Sequence, residues 1–170
     1  NVTGNIVNTA VAEKAVVEPT YTNKIPHSTD ASGNPYNNGQ GWKTGYRLNS
    51  SGAEAVREGM EVTGFIPAKY GDVLRMRNIT FNYSVANSEY RDNTYLAFYD
   101  SSFAFLGYRK THGENLDPGA NDIVINDEKQ NGIGLDNYNG SNAQNVAYIR
   151  LSSSEISNNS IITINQPITD

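Results

Sequence analysis

Short runs of β-branched and aromatic residues, separated by clusters of Gly, Asn, Asp and Ser, dominate the chain from Trp42 onward. Turn-forming residues are abundant, since the 170 residues include 23 Asn, 15 Gly and 14 Ser. Asn and Gly tolerate positive φ and close tight connections, whereas residues that build long helices are comparatively few. The pattern argues against a helical bundle and predicts an all-β protein.

Eight short strands follow from this rule. We expect them at residues 43–48, 61–66, 72–81, 94–99, 103–108, 122–125, 145–151 and 160–165. So many short strands, with a core that needs both faces covered, predict two antiparallel sheets packed as a β-sandwich, most simply a jelly roll.

Local patterns sharpen three of these elements. The clearest hairpin joins two aromatic strands through a polar turn that begins at Asp100. In the third strand, strict alternation favours Leu74 and Met76 for the core face. Ser153 or Ser154 followed by Glu155 resembles a helix-capping sequence, so a single helical turn is expected at residues 152–156.

The N-terminal part of the chain reads differently. Residues 1–20 contain an Ala/Val-rich stretch that ends at Pro19 and suits either a short helix or an added strand, so we interpret them as a connector or oligomerisation arm. Residues 21–41 are dense in turn residues and predict a long ordered loop or exposed flap. The jelly-roll domain is therefore assigned to residues 21–170.

Charge and composition exclude several classes of binding partner. The formal net charge of -5, without a Lys/Arg cluster, lacks the basic field that nucleic acid requires. The longest apolar run, residues 95–99, is far shorter than the ~20 residues that cross a bilayer, so we expect no membrane insertion. The chain has no Cys, which excludes disulfides and thiolate chemistry.

Catalytic signatures are not recognisable in the sequence. Neither His27 nor His112 belongs to a known motif, and the carboxylates lie in turns where Asp is common for backbone reasons. We therefore expect a protein that is not an enzyme, with a polysaccharide depolymerase or esterase as a minor alternative. No cofactor is expected, except that Asp122, Asp127 and Glu128 could hold a structural calcium ion with loop carbonyls.

Aromatic and amide side chains point to surface recognition. A sugar presents an apolar face of C–H groups, on which aromatic rings stack, and hydroxyls that Asn, Gln, Asp and Arg can satisfy. The candidate ligand-binding residues are Trp42, Tyr36, Tyr138, Asn137, Asn139 and Tyr90. A single Trp lies in a core more often than at a ligand, so both interpretations of Trp42 stay open.

The strand arginines are assigned a different role. Arg47, Arg75 and Arg150 are expected to form ion pairs across a sheet face rather than to grip a ligand.

Five segments carry a resemblance to a known class. They are NKIPHSTD (23–30), YNNGQGWKTGYRLNSSG (36–52), VTGFIPAKYGDVLRMRN (62–78), LAFYDSSFAFLG (96–107) and AYIRLSSSEISNNSIITIN (147–165). Together they resemble a β-sandwich domain, similar to carbohydrate-binding jelly rolls, that occurs in tail fibres, baseplate appendages and receptor-binding proteins of tailed phages. The Ala/Val-rich residues 9–18 fall outside the resemblance.

The resemblance implies a place on the virion surface, other virion proteins as partners, and a homo-oligomer, with a trimer favoured. We therefore expect a non-enzymatic virion surface domain of a tailed phage that binds bacterial surface polysaccharide or glycan. The alternative is a purely structural fibre, head-fibre or decoration module whose surfaces mediate subunit assembly.

Overall fold

A computed structural model describes residues 20–49, 51–79, 95–111, 122–126, 133–136 and 140–169. Within these ranges the chain is mostly β-structure, with three short 3-10 helices, η1 (Ile25–His27), η2 (Tyr36–Gly39) and η3 (Gly140–Asn145). The strands are β1 (Trp42–Leu48), β2 (Glu54–Thr63), β3 (Ile66–Pro67), β4 (Val73–Arg77), β5 (Tyr95–Tyr99), β6 (Phe105–Thr111), β7 (Ile123–Val124), β8 (Ile133–Asp136), β9 (Tyr148–Ser153) and β10 (Ile161–Ile164). No helix in the described ranges is long and apolar enough to span a bilayer.

The strands form two antiparallel sheets. The larger sheet has the order β1-β2-β9-β5-β6-β8, with β3 also paired to β9, and the smaller has the order β10-β4-β7. Every strand pair is antiparallel. The fold agrees with the predicted all-β sandwich. The predicted arm at residues 1–20 lies outside the described residues except for Thr20.

The main core lies between the two sheets. Leu74 and Met76 of β4 pack with Phe98 of β5 and Leu151 of β9 in one buried cluster, so the predicted core face of β4 is confirmed. Full burial of each such side chain contributes about 1.5–3 kcal/mol. Ile79 is also buried, although simple alternation placed it on the opposite face, because β4 ends at Arg77 and Asn78 turns the chain at φ 57°.

A second cluster covers the other face of the larger sheet. Ala97 and Tyr99 of β5 belong to it together with Leu48, Val62 and Phe65, whereas Leu96 and Phe98 belong to the main core. The two faces of β5 are therefore both buried. This explains why its sequence is continuously apolar instead of alternating.

Residues 21–41 form an ordered loop fixed to the sandwich. Thr29 N donates to Phe65 O at 2.9 Å, and Phe65 N donates to Thr29 O at 2.8 Å. Ser28 is buried and its hydroxyl donates to Gly41 O at 2.9 Å. These bonds hold η1 and η2 beside the start of β1.

Two parts of the sequence prediction were incomplete. Strand β2 begins at Glu54 rather than near residue 61, because its first half pairs with β1 across a bulge at Gly45, where the register jumps from Thr44↔Glu61 to Tyr46↔Val56. Strand β8 was not predicted at all.

The helical turn expected at residues 152–156 was wrong. Strand β9 continues to Ser153, because Ser152 and Ser153 pair with Val62 and Glu61 and are buried in the sheet. The Ser153 hydroxyl does accept the backbone N–H of Glu155, at 3.2 Å, but no helix follows.

Three connections contain the same kind of turn, which is closed by hydrogen bonds from the backbone to a side chain. In each, an Asp or Asn Oδ1 accepts two backbone N–H groups, as Asp100 does from Ser102 at 2.8 Å and Ala104 at 2.9 Å. The turns begin at Asp30, Asn49 and Asp100. The turn at Asp100 joins β5 to β6, so the predicted hairpin is confirmed.

The fourth position of each of these turns has a positive φ. Gly33 and Gly52 adopt 83° and 75°, but the third turn places Phe103 there at 63°. The Phe103 ring stacks on Tyr148 with centroids 4.6 Å apart and meets Phe65 edge-on at 4.9 Å. These ring contacts hold a backbone conformation that a bulky residue otherwise avoids.

Candidate ligand-binding site

Trp42 serves both the core and a surface pocket. The side chain is only 7% exposed and belongs to the inter-sheet cluster, yet its accessible edge lines a pocket of about 210 Å³. Ile25 and Pro26 of η1 add apolar surface beside it. Trp42 therefore forms part of an apolar pocket wall that the packed core holds in place.

Amide and hydroxyl groups form the rest of the pocket. Gln40, Asn158 and Ser157 are exposed at its margin, and Asn23 and Ser160 lie deeper. An apolar wall with a few polar groups around it is the usual composition of a small-molecule site.

The deeper polar groups are occupied by the fold itself. Asn23 Nδ2 donates to Ser160 O at 2.9 Å, while Asn23 Oδ1 accepts Ile162 N at 3.1 Å. The Ser160 hydroxyl donates to Asn78 O at 2.7 Å. Asn23 and Ser160 thus shape the pocket and are not free to recognise a ligand.

The marginal amides are differently placed. Gln40 Oε1 accepts Asn37 Nδ2 at 3.0 Å, which orients the Gln40 side chain. The Asn158 side chain makes no hydrogen bond to the residues that the structure describes. Gln40 and Asn158 are therefore the polar side chains best placed to bond a ligand in this pocket.

Gly41 explains how Gln40 and Trp42 come so close to η1. Its φ is 90°, and a Cβ at this position would lie 2.1 Å from Ile25 O. Only glycine accommodates both the backbone conformation and this close approach. The Asn37 side chain also bonds the Trp42 carbonyl, which ties η2 to the first residue of β1.

Tyr36 belongs to a different group on the outer face of the larger sheet. Its hydroxyl bonds Glu54 Oε1, and Arg150 Nη2 lies 2.7 Å from that same oxygen. Arg150 also donates through Nε to Thr63 O at 2.9 Å and lies over the Phe65 ring at 4.7 Å. Tyr36 and Trp42, although six positions apart in the sequence, do not share the pocket.

The electrostatics of this outer group follow from its contacts. Burial raises the pKa of Tyr36, and the hydrogen bond to Glu54 raises it further. Burial alone would raise the pKa of Glu54, but bonds from Tyr36 and Arg150 outweigh it and lower the pKa. Tyr36, Glu54 and Arg150 thus bond to one another. Because Glu54 lies on β2 and Arg150 on β9, the group fixes the loop that contains Tyr36 to these two strands.

The ion pairs expected for Arg75 and Arg150 are confirmed. Arg75 reaches across the smaller sheet to Asp122, with Nε 3.0 Å from Oδ1 and Nη2 3.1 Å from Oδ2. Both oxygens of Asp122 are therefore bonded to a guanidinium group. Asp127 and Glu128 lie outside the described residues, and no group of three or more His, Cys, Asp or Glu side chains suited to a metal occurs within the described ranges.

The remaining sequence candidates cannot be placed in either group. Tyr90, Asn137, Tyr138 and Asn139 all lie outside the described residues. Among the pocket residues, Ile25, Pro26 and Asn158 were not singled out by the sequence. The SNNS run at residues 157–160 was the only signal for Asn158, and its composition resembles any other turn in this Asn-rich chain.

A larger groove lies next to the pocket. It measures about 1050 Å³, and its lining includes Glu61, Arg77, Ile79, Glu155 and residues 156–159. Glu61 Oε2 is buried there and has no hydrogen-bond partner among the residues that the structure describes. Burial raises the pKa of Glu61, and the nearby Glu155 carboxylate raises it further, against a bond from the Ile156 backbone.

Comparison with known proteins adds no relative. Neither the protein families, nor the curated proteins, nor the solved structures searched contain a match to this chain. The class is therefore the one that the fold defines, an all-β protein with two antiparallel sheets, and function rests on the geometry of its own residues.

Proposed function

We propose that this chain is a non-enzymatic domain of a tailed-phage virion surface that binds glycan on the host cell. Its sandwich would be of the jelly-roll type. The pocket at Trp42 carries the proposal, because it combines a rigid apolar wall with two exposed amides, Gln40 and Asn158.

The pocket chemistry suits a sugar ring. The C–H face of a pyranose can contact Trp42 and Pro26, while its hydroxyls can bond the amides, which both donate and accept. The volume of about 210 Å³ is below the ~300–1,000 Å³ of sites for drug-sized ligands, so the pocket suits a single ring.

Weak binding at each pocket is sufficient for attachment to a cell. A homo-oligomer on a virion displays several copies, and linked sites raise avidity by about 10²–10⁴ without any new contact. Residues 1–20 are the proposed attachment or oligomerisation arm, and a trimer is the favoured state. The other virion proteins would be the partners of this arm.

A glycan array probed with the full chain tests the proposal. Gln40→Ala and Asn158→Ala remove exposed amides and leave the core intact, so each should weaken binding about tenfold, which corresponds to ~1.4 kcal/mol. Asn34→Ala is the matched control, because it removes an exposed amide outside the pocket. Absence of binding by the full chain, or equal binding by all three variants, contradicts the proposal, and release of reducing ends from the array would contradict the non-enzymatic part.

The structural-module alternative is supported by a different surface. Val56 is 79% exposed on β2, next to β1 at the edge of the larger sheet. Exposed apolar side chains near a sheet edge are suited to subunit contacts. Under this alternative, Val56→Lys should lower the sedimentation coefficient of the full chain, because it disrupts a subunit contact. The glycan-binding role predicts that the same variant leaves array binding per protomer unchanged.

A further inference from the structure

The Trp42 pocket and the larger groove share two lining residues. Ser157 and Asn158 line both concavities, so the turn that carries them forms their common edge. Trp42 and Gln40 lie on one side of this edge, and Glu61, Arg77 and Ile79 lie on the other. A ligand longer than one ring in the pocket would meet this edge and could continue into the groove.

We propose that the ligand is a segment of several units of an uncharged polysaccharide, bound across this edge by the pocket and the groove together. The inference rests on the proposed glycan-binding function and specifies its ligand class. It assigns one sugar unit to the Trp42 pocket and the following units to the groove, with Asn158 contacting the chain between them.

The groove is more polar than the pocket, but its wall also contains apolar side chains. Ile79 and Ile156 are buried in its wall, and Ile161 is half-buried beside them. Asn78 and Asn159 are exposed, and Asn78 Nδ2 donates to Asn159 O at 3.0 Å, which fixes the two turns against each other. Apolar side chains bordered by amides again match the faces and hydroxyls of sugar rings.

The volumes indicate a polymer. The groove, at about 1050 Å³, is several times larger than the single-ring pocket at about 210 Å³. A terminal monosaccharide would fill only the pocket and would leave the groove and Asn159 without contact. A segment of several units uses both and gains affinity with each added unit until the groove is filled.

The charges favour an uncharged chain. Among the lining residues that the structure describes, two carboxylates, Glu61 and Glu155, face one guanidinium, that of Arg77. A uronic acid or phosphate on the glycan would approach this excess of negative charge and would be repelled. Neutral sugars avoid the repulsion.

The test uses the neutral polysaccharide that the full chain binds most strongly on the array. Partial hydrolysis gives a ladder of short oligomers, and calorimetry with the full chain measures the affinity of each. We expect at least a tenfold rise in affinity from the monosaccharide to oligomers of about four units, and then a plateau. Polygalacturonate oligomers, as an anionic probe, should bind at least tenfold more weakly than neutral oligomers of equal length.

Two variants separate the subsites. Gln40→Ala should weaken every member of the ladder, whereas Asn159→Ala should weaken only the longer oligomers and bring them towards the affinity of the monosaccharide. Equal affinity for all lengths, or preference for polygalacturonate, overturns the inference and leaves the Trp42 pocket as a single-unit site. Absence of any saccharide binding instead overturns the proposed function itself.

Discussion

Arg150 Nη2 lies 2.7 Å from Glu54 Oε1, and only 6% of the Arg150 side chain is exposed, against 28% for Glu54. The guanidinium depends on this carboxylate because it is removed from water and packs on the Phe65 ring. The pair joins β9 to β2 and, through the Tyr36 hydroxyl, holds the loop that precedes β1.

Glu54→Gln should lower the free energy of unfolding by about 1–3 kcal/mol, because it leaves a buried guanidinium without its counter-charge. Urea denaturation at neutral pH measures the change. Lys43→Met is the control: Lys43 also pairs with Glu54, at 3.5 Å, but it is more exposed and should cost less than about 1 kcal/mol. Equal losses for the two variants would show that burial of Arg150 does not set the strength of the pair.

The contribution of the Glu54–Arg150 ion pair to stability should also be measurable at acidic pH. The folded pKa of Glu54 is below the ordinary glutamate value of 4.5, so its contribution to stability is present above that value and is lost as pH falls through the folded pKa. The wild-type chain should therefore lose more stability than Glu54→Gln in this acidic range. Parallel stability curves for the two proteins would contradict the assignment.

Glu61 should respond with the opposite sign. Its folded pKa is raised above 4.5, so the ionised form penalises the folded state as pH rises from about 4.5 through the folded pKa. Glu61→Gln should raise the melting temperature at pH 7 and have a smaller effect near pH 4. Glu58→Gln, on an exposed residue of the same strand, is the matched control.

Gly41→Ala should destabilise the protein more than Gly33→Ala. Gly33 has a φ of 83° and Gly41 a φ of 90°, and such a conformation costs an L-residue about 1–2 kcal/mol. A Cβ at Gly33 meets nothing within 4 Å, whereas one at Gly41 overlaps Ile25 O, so Gly41→Ala adds a displacement of η1. Thermal unfolding ranks the two variants, and loss of glycan binding by Gly41→Ala alone would follow from distortion of the Trp42 pocket.

At position 103, a glycine variant should be more stable than an alanine variant, which reverses the usual order. In regular structure glycine is less stable than alanine by about 0.5–1 kcal/mol, but φ of 63° at Phe103 favours glycine. Phe103→Gly should therefore unfold at higher urea concentration than Phe103→Ala, with both below wild type because stacking on Tyr148 is lost. If Phe103→Ala is instead more stable to urea than Phe103→Gly, the backbone at this position relaxes out of the left-handed region.

The sequence was informative where structure is local. Alternation placed Leu74 and Met76 in the core, and Asp100 followed by serines marked the β5–β6 turn, because each signal lies within a few neighbouring residues. The first half of β2 escaped detection because EAVREGM has no simple alternation and pairs with β1 through a bulge.

The candidate site depended on distant partners. Tyr36 meets Glu54 and Arg150, which are 18 and 114 positions away, and no local pattern encodes those contacts. The two interpretations of Trp42 could not be separated from sequence because the residue fills both roles, with most of its ring in the core and an edge in the pocket. Asn158 lies at that pocket because Asn23 bonds the backbone of Ser160 and Ile162, which holds the turn at residues 157–160 beside η1.

The turns that begin at Asp30, Asn49 and Asp100 each complete their reversal with bonds inside five consecutive residues. The Asp30 and Asn49 segments place Gly33 and Gly52 at the left-handed position and need no aromatic packing there, whereas the Asp100 segment depends on the stacking of Phe103 on Tyr148. The Asp30 segment should therefore be able to replace the Asn49 segment without altering the strands on either side. Evolution, or an engineer, could vary these tips while the scaffold beneath them stays the same.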